Sequence, residues 1–129
     1  MTRAPRLAAF AALNGALAVA LGAFAAHGVG TEAESLLRTG AQYQGVHAVL
    51  GVACALAAPT GLMRLGGWLA AGGGLVFSSA LAAIALLDIR VMGAVAPVGG
   101  SLMILGWLVL AGGALRHAPS LTASPPPFT

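Results

Sequence analysis

Charge is what this chain has least of. Of its 129 residues, 7% are Asp, Glu, Lys or Arg, against roughly 25% in an ordinary soluble domain. The inventory is six Arg, two Glu and one Asp, with no Lys. A soluble monomer clothes most of its surface in polar groups, and this chain has too few to do so. The basic pI of about 10.6 records a shortage of acids. It does not reflect a cluster of bases able to neutralise many phosphates. Aromatic residues, at 5%, leave few platforms for base stacking, so nucleic acid is not an expected partner. A single cysteine, Cys54, excludes an intramolecular disulfide and any multi-cysteine metal site. Within its apolar run it reads as a small packed hydrophobe.

What the chain does have is apolar length: 59% hydrophobic residues and 19 Gly. A membrane-spanning helix needs about 20 apolar residues. Four runs meet or approach that length, over residues 7–26, 41–62, 66–87 and 97–115. They predict one all-α, four-span integral membrane bundle over residues 1–117, in the plasma or inner membrane. The Pro-rich tail 118–129 is expected to be disordered. Pro59 is placed to stop the second run, and Pro97 suits the first turn of the fourth helix. The first run, with Arg3 and Arg6 before it, is too long for the roughly 7–15 residue core of a signal peptide. It reads as a retained span.

Thr31-Glu32-Ala33-Glu34 has the form of a capping box, in which Thr31 and Glu34 each satisfy a free backbone N–H. A helix running unbroken from there to Ala58 would be about 40 Å long, more than the roughly 30 Å hydrocarbon core. The expectation is therefore a short interfacial helix over residues 32–39, a bend near Gly40, and then the second span. With four spans, Arg3, Arg6, Arg64 and Arg116 share one side. Arg38, Arg90, Glu32, Glu34 and Asp88 share the other. The positive-inside rule then puts both termini in the cytoplasm. Asp88 and Arg90 read as a local ion pair or interfacial anchors.

Small residues recur at intervals of seven: Ala8, Gly15 and Gly22; Gly66, Gly73 and Ala80; Gly99, Gly106 and Gly113. In the second span Gln44, Ala48, Gly51, Ala55 and Ala58 alternate by three and four. A seven-residue period favours left-handed crossing, and small side chains let backbones approach.

Polar groups inside a membrane need a partner or a job. Asn14 is placed to glue helices together or to line a solute path. Ser78 and Ser79 can bond back to their own helix carbonyls. The densest group is Tyr43, Gln44 and His47, which share a helix face by spacing. With His27 at the end of the first span, two imidazoles, an amide and a phenol are expected to converge near the non-cytoplasmic interface. Such a group reads as a hydrogen-bonded cluster closing one end of the bundle, a solute or proton path, or a metal or haem site. His117, beside the tail, is expected to be solvated. No Ser/His/Asp set, Cys/His pair, paired-carboxylate site, phosphate loop or dinucleotide fingerprint is present. The chain therefore reads as a protein without catalytic activity, cofactor or metal. Its expected role is structural or through partner helices, as a homo-oligomer or with another membrane protein. A transporter or channel lined by Asn14, His27, Gln44 and His47 is the alternative.

Four short stretches occur in order: Gly22-Ala23-Phe24-Ala25-Ala26-His27-Gly28, Gln42-Tyr43-Gln44-Gly45-Val46-His47-Ala48, Phe77-Ser78-Ser79 and Pro97-Val98-Gly99-Gly100. As a set they resemble the small membrane proteins of the domain of unknown function 423 family, relatives of the eukaryotic transmembrane protein 256. The resemblance covers nearly the whole chain except the Pro-rich tail. It implies a four-helix integral membrane protein with no settled biochemical activity, and matches His27, Gln44 and His47. Ala25 stands where the family tends to have a second Gly, Arg38-Thr39-Gly40 where an aromatic tends to fall, and Ser79 where Gly tends to follow the first Ser. These departures stand against a strict site around that stretch.

Overall fold

The computed structural model describes residues 4–118; the expected tail beyond Ala118 lies outside the described residues. Four α-helices run Pro5–His27 (α1), Thr31–Ala57 (α2), Gly61–Leu87 (α3) and Ala96–His117 (α4), with a 3₁₀ turn over Arg90–Ala94. The connections are short, so sequential helices pack as antiparallel neighbours. α2 and α3 form a central pair. α1 lies on α2 and touches α3, and α4 lies on α3.

Local signals account for most boundaries. Pro5 opens α1, where a missing N–H costs nothing. Ala58, preceding Pro59, takes the extended conformation (φ −66°, ψ 121°) that ends α2. The Thr60 hydroxyl then accepts from Met63 N at 3.2 Å and starts α3, five residues before the apolar run at Gly66. Asp88 closes α3 in the left-handed region (φ 53°), with the Ile89 N–H turned back to Ala83 O at 3.3 Å.

Two expectations at the start of α2 need correction. The N-cap is Gly30, without a side-chain cap bond. Thr31 is already helical, and Glu34 pairs with Arg38 at 2.6 Å. There is also no separate interfacial helix: Thr31–Ala57 is one α-helix of 27 residues. Gly40 is a packing position. It lies against Ser78 of α3, whose Cα would be 3.2 Å from a Cβ added at Gly40. A glycine missing its side chain for that reason has no cause to bend the helix.

The interface between α3 and α4 is backbone against backbone. A Cβ on Gly99 would sit 2.5 Å from Phe77 N, one on Gly106 2.7 Å from Ala70 N, and one on Gly73 2.7 Å from Met103 N. These are members of the seven-residue series. The neighbouring α3 glycines serve α2: a Cβ on Gly67 would lie 2.6 Å from Cys54 Cβ, and one on Gly74 3.3 Å from His47 Cβ. α3 thus offers small residues to both neighbours, which suits an environment where dispersion contacts must hold helices together.

The apolar core is split. Leu7, Cys54 and Ala55 cluster at one end of the molecule, and Ala80, Leu81 and Ala96 at the other. Large apolar side chains point outward instead: Val19 is 74% exposed, Val49 71% and Leu108 63%. Three segments, Pro5–His27, Gly61–Leu87 and Arg90–His117, are long and apolar enough to cross a membrane. α2 falls outside that group because of its polar residues, and those lead to the site.

Candidate functional site

Between the two apolar clusters lies a polar layer. Asn14, Gln44, His47 and Ser78 are buried. Antiparallel packing sets their level. Gly22 of α1 faces Ala41 of α2, Ala18 faces Gly45, and Gly15 faces Ala48, which brings Asn14 beside the Gln44–His47 turn.

The Gln44 amide donates to Asn14 Oδ1 at 3.0 Å, the buried side-chain bond between α1 and α2. Asn14 in turn donates from Nδ2 to Phe10 O, one turn back, at 3.1 Å. One end of the Asn14 amide therefore binds its own helix, and the other receives the neighbour.

His47 is fixed at both nitrogens. Nε2 lies 3.0 Å from Trp107 Nε1 of α4, and Nδ1 lies 2.6 Å from Tyr43 O. An indole N–H only donates, so Nε2 must accept and carry no proton. A carbonyl only accepts, so Nδ1 must hold the proton. The geometry thus selects one neutral tautomer. A second proton on Nε2 would point N–H at N–H and break the link to Trp107. The ring also stands edge-on to Trp107, with centroids 6.1 Å apart. Tyr43 stacks beside His47 and meets Phe77 edge-on at 5.2 Å, but is half exposed.

The expected convergence of His27 does not occur. His27 is exposed at the end of α1. His47 is level with the middle of α1, eleven residues or about 16 Å away along the axis. The error arises from starting the second helix at residue 41: α2 begins ten residues earlier, so His47 lies near mid-depth. Among the described residues no group of three His, Cys, Asp or Glu could hold a metal ion. Asp88 and Arg90 form an exposed ion pair at 3.3 Å, and His117 is exposed. Among the described residues Ser78 and Ser79 make no back-bond; Ser78 is spent on the contact with Gly40.

Trp107 is the member that sequence reasoning passed over. Its position offers a signal, because it falls in the middle of α4, away from the interfacial belt where Trp is at home. An indole at that depth needs an acceptor.

The fold and this layer define a small all-α membrane protein whose buried Asn14, Gln44 and His47 side chains are hydrogen-bonded within the helix bundle. The family model described as "Protein of unknown function (DUF423)" matches residues 21–100. The chain is 38% identical over 113 residues to a UPF0382 membrane protein of Haemophilus influenzae, covering 81% of this chain and 90% of that one. It is 36% identical over 113 residues to a UPF0382 membrane protein of Staphylococcus epidermidis, covering 83% and 93%. It is 36% identical over 119 residues to the UPF0382 inner membrane protein YgdD of Escherichia coli, covering 83% and 87%. The chain belongs to this family of membrane proteins of unknown function. No solved structure matches it.

Proposed function

We propose that the chain is a four-span inner-membrane protein without catalytic activity, whose polar layer is helix-to-helix glue and which acts by lateral association with other membrane helices. The observation that carries this reading is the state of the buried polar groups. The Gln44 amide is committed to Asn14, and both nitrogens of His47 are committed to Tyr43 O and Trp107. The grooves of about 610 and 580 Å³ are lined by other residues, so neither gives Asn14, Gln44 or His47 a water-filled face. A proton or solute path requires polar groups free to exchange partners, and these are engaged.

α2 as the fourth span is supported by its place between α1 and α3. If its neighbours cross the bilayer, a helix packed along both crosses with them, and its Gln44 and His47 face inward, where hydropathy does not count against them. Both termini are assigned to the cytoplasm because Arg6, Arg64 and Arg116 gather at one end. Glu32, Glu34, Asp88 and two Arg gather at the other.

Purified protein in liposomes tests the reading. The expected result is no proton or solute flux above that of empty vesicles, with His47→Ala lowering resistance to unfolding. A flux that disappears in His47→Ala would overturn it in favour of a transport path.

A further inference from the structure

Two residues from the buried Gln44, Gln42 faces the opposite way. It is exposed on α2, and among the described residues it has no side-chain hydrogen bond. Because Ala41 is level with Gly22 of α1, Gln42 lies about 9 Å inside the end of that helix. An amide there has two donors and an acceptor, and lipid tails can satisfy none of them.

The amide stands on a groove. A depression of about 610 Å³ runs between α1 and α2, with Gly15 and Gly22 on one wall and Gln42 and Gly45 on the other. It continues past Val49 into a further stretch of about 310 Å³. The α2 side reads Arg38, Gln42, Gly45, Val49, Val52, Leu56, the three-four alternation of a left-handed helix seam. The glycines here differ from those at the α3–α4 interface. A Cβ on Gly15, Gly22 or Gly45 would meet its nearest neighbour at 3.9, 3.8 or 3.7 Å, an ordinary contact. The chain's packing on itself does not require these residues to be glycine. Their missing side chains deepen a surface that faces outward.

We infer that this groove receives a second copy of the chain, in a two-fold dimer whose two Gln42 side chains pair with each other. The inference rests on the partner-helix reading above and names the partner. A primary amide is its own complement: each copy donates N–H to the other's carbonyl, as a contact repeated across a two-fold axis requires. Charge agrees. Glu34 and Arg38 pair at 2.6 Å at the head of the same seam, so the two faces meet without net repulsion and can exchange partners across the axis. A single anionic lipid headgroup would instead find Arg38 already neutralised.

Disulfide formation in native membranes tests this. In a Cys54→Ala chain, Val49→Cys on the seam is expected to give, under a mild oxidant, a product of twice the 12.6 kDa chain mass. Leu108→Cys, on the exposed face of α4, is expected not to. Gln42→Leu should weaken dimerisation by roughly threefold to thirtyfold, the range for one interhelical polar contact in a membrane. It should leave helix content and Trp fluorescence unchanged, because Gln42 makes no hydrogen bond within its own chain. Absence of the Val49 product, or equal yield from Leu108→Cys, overturns the proposal. Cross-linking of Val49→Cys to a different polypeptide also overturns the second copy but leaves the partner-helix reading standing. The flux experiment above is what removes that reading.

Discussion

The indole N–H of Trp107 on α4 donates to Nε2 of His47 on α2 across 3.0 Å, joining two helices that pack on either side of α3. Because the indole cannot accept, His47 is held as the neutral Nδ1–H tautomer. Nitrogen NMR of ring-labelled protein should show a protonated Nδ1 and an imine-like Nε2. Trp107→Phe keeps the ring and removes the donor, so it should cost about 1 kcal/mol of unfolding free energy in mild detergent and release the tautomer to a mixture. An unchanged tautomer in Trp107→Phe would show that Tyr43 O alone holds the ring.

The Asn14–Gln44 pair makes a separate prediction. Replacing both amides by Leu removes donor and acceptor together, whereas either single change strands one of them. A double-mutant cycle over Asn14→Leu and Gln44→Leu should give a coupling of about 0.6–2 kcal/mol. The single variants should be destabilised more than additivity with the double variant allows. Coupling indistinguishable from zero would mean that each amide finds a substitute partner.

How much of this was legible beforehand differs between elements. The positions of the helices follow from apolar length, and the stop at Pro59 follows from the conformation its ring imposes on Ala58. The continuity of α2 was not legible. Glu32, Glu34 and Arg38 look interfacial, and Gly40 looks like a hinge until Ser78 is seen against it. Nothing local to residue 40 reveals what stands opposite. The same limit hid the His47–Trp107 bond, which joins residues 60 apart. It also misplaced His27, whose relation to His47 depends on helix register. Residue chemistry pointed to Asn14, Gln44 and His47, but their pairing belongs to the packing.

Two groups of glycines have opposite expected responses. Gly99 and Gly106 have no room for a methyl group, because backbone atoms of α3 would lie 2.5 and 2.7 Å away. Gly99→Ala should therefore cost about 1–3 kcal/mol or more, since a backbone cannot step aside as a side chain can. Gly72 and Gly100 face open space, so Gly72→Ala and Gly100→Ala should be neutral or stabilising by up to about 1 kcal/mol. Unfolding midpoints of the three alanine variants in one detergent check the split. Equal effects would mean that α3 and α4 are not in the contact described.

The assignment of α2 as a span makes the connections alternate across the bilayer. Gly30, Gly61 and Gly93 lie in or beside the three connections, and a side chain at each would meet nothing within 4 Å, so cysteine fits at all of them. In a Cys54→Ala chain, a membrane-impermeant thiol reagent applied to intact spheroplasts should label Gly30→Cys and Gly93→Cys. It should label Gly61→Cys only after the membrane is opened. Labelling of Gly30→Cys and Gly61→Cys from the same side would remove α2 from the spanning set. The reverse pattern, with Gly61→Cys alone labelled from outside, would keep four spans and invert the orientation drawn from Arg6, Arg64 and Arg116.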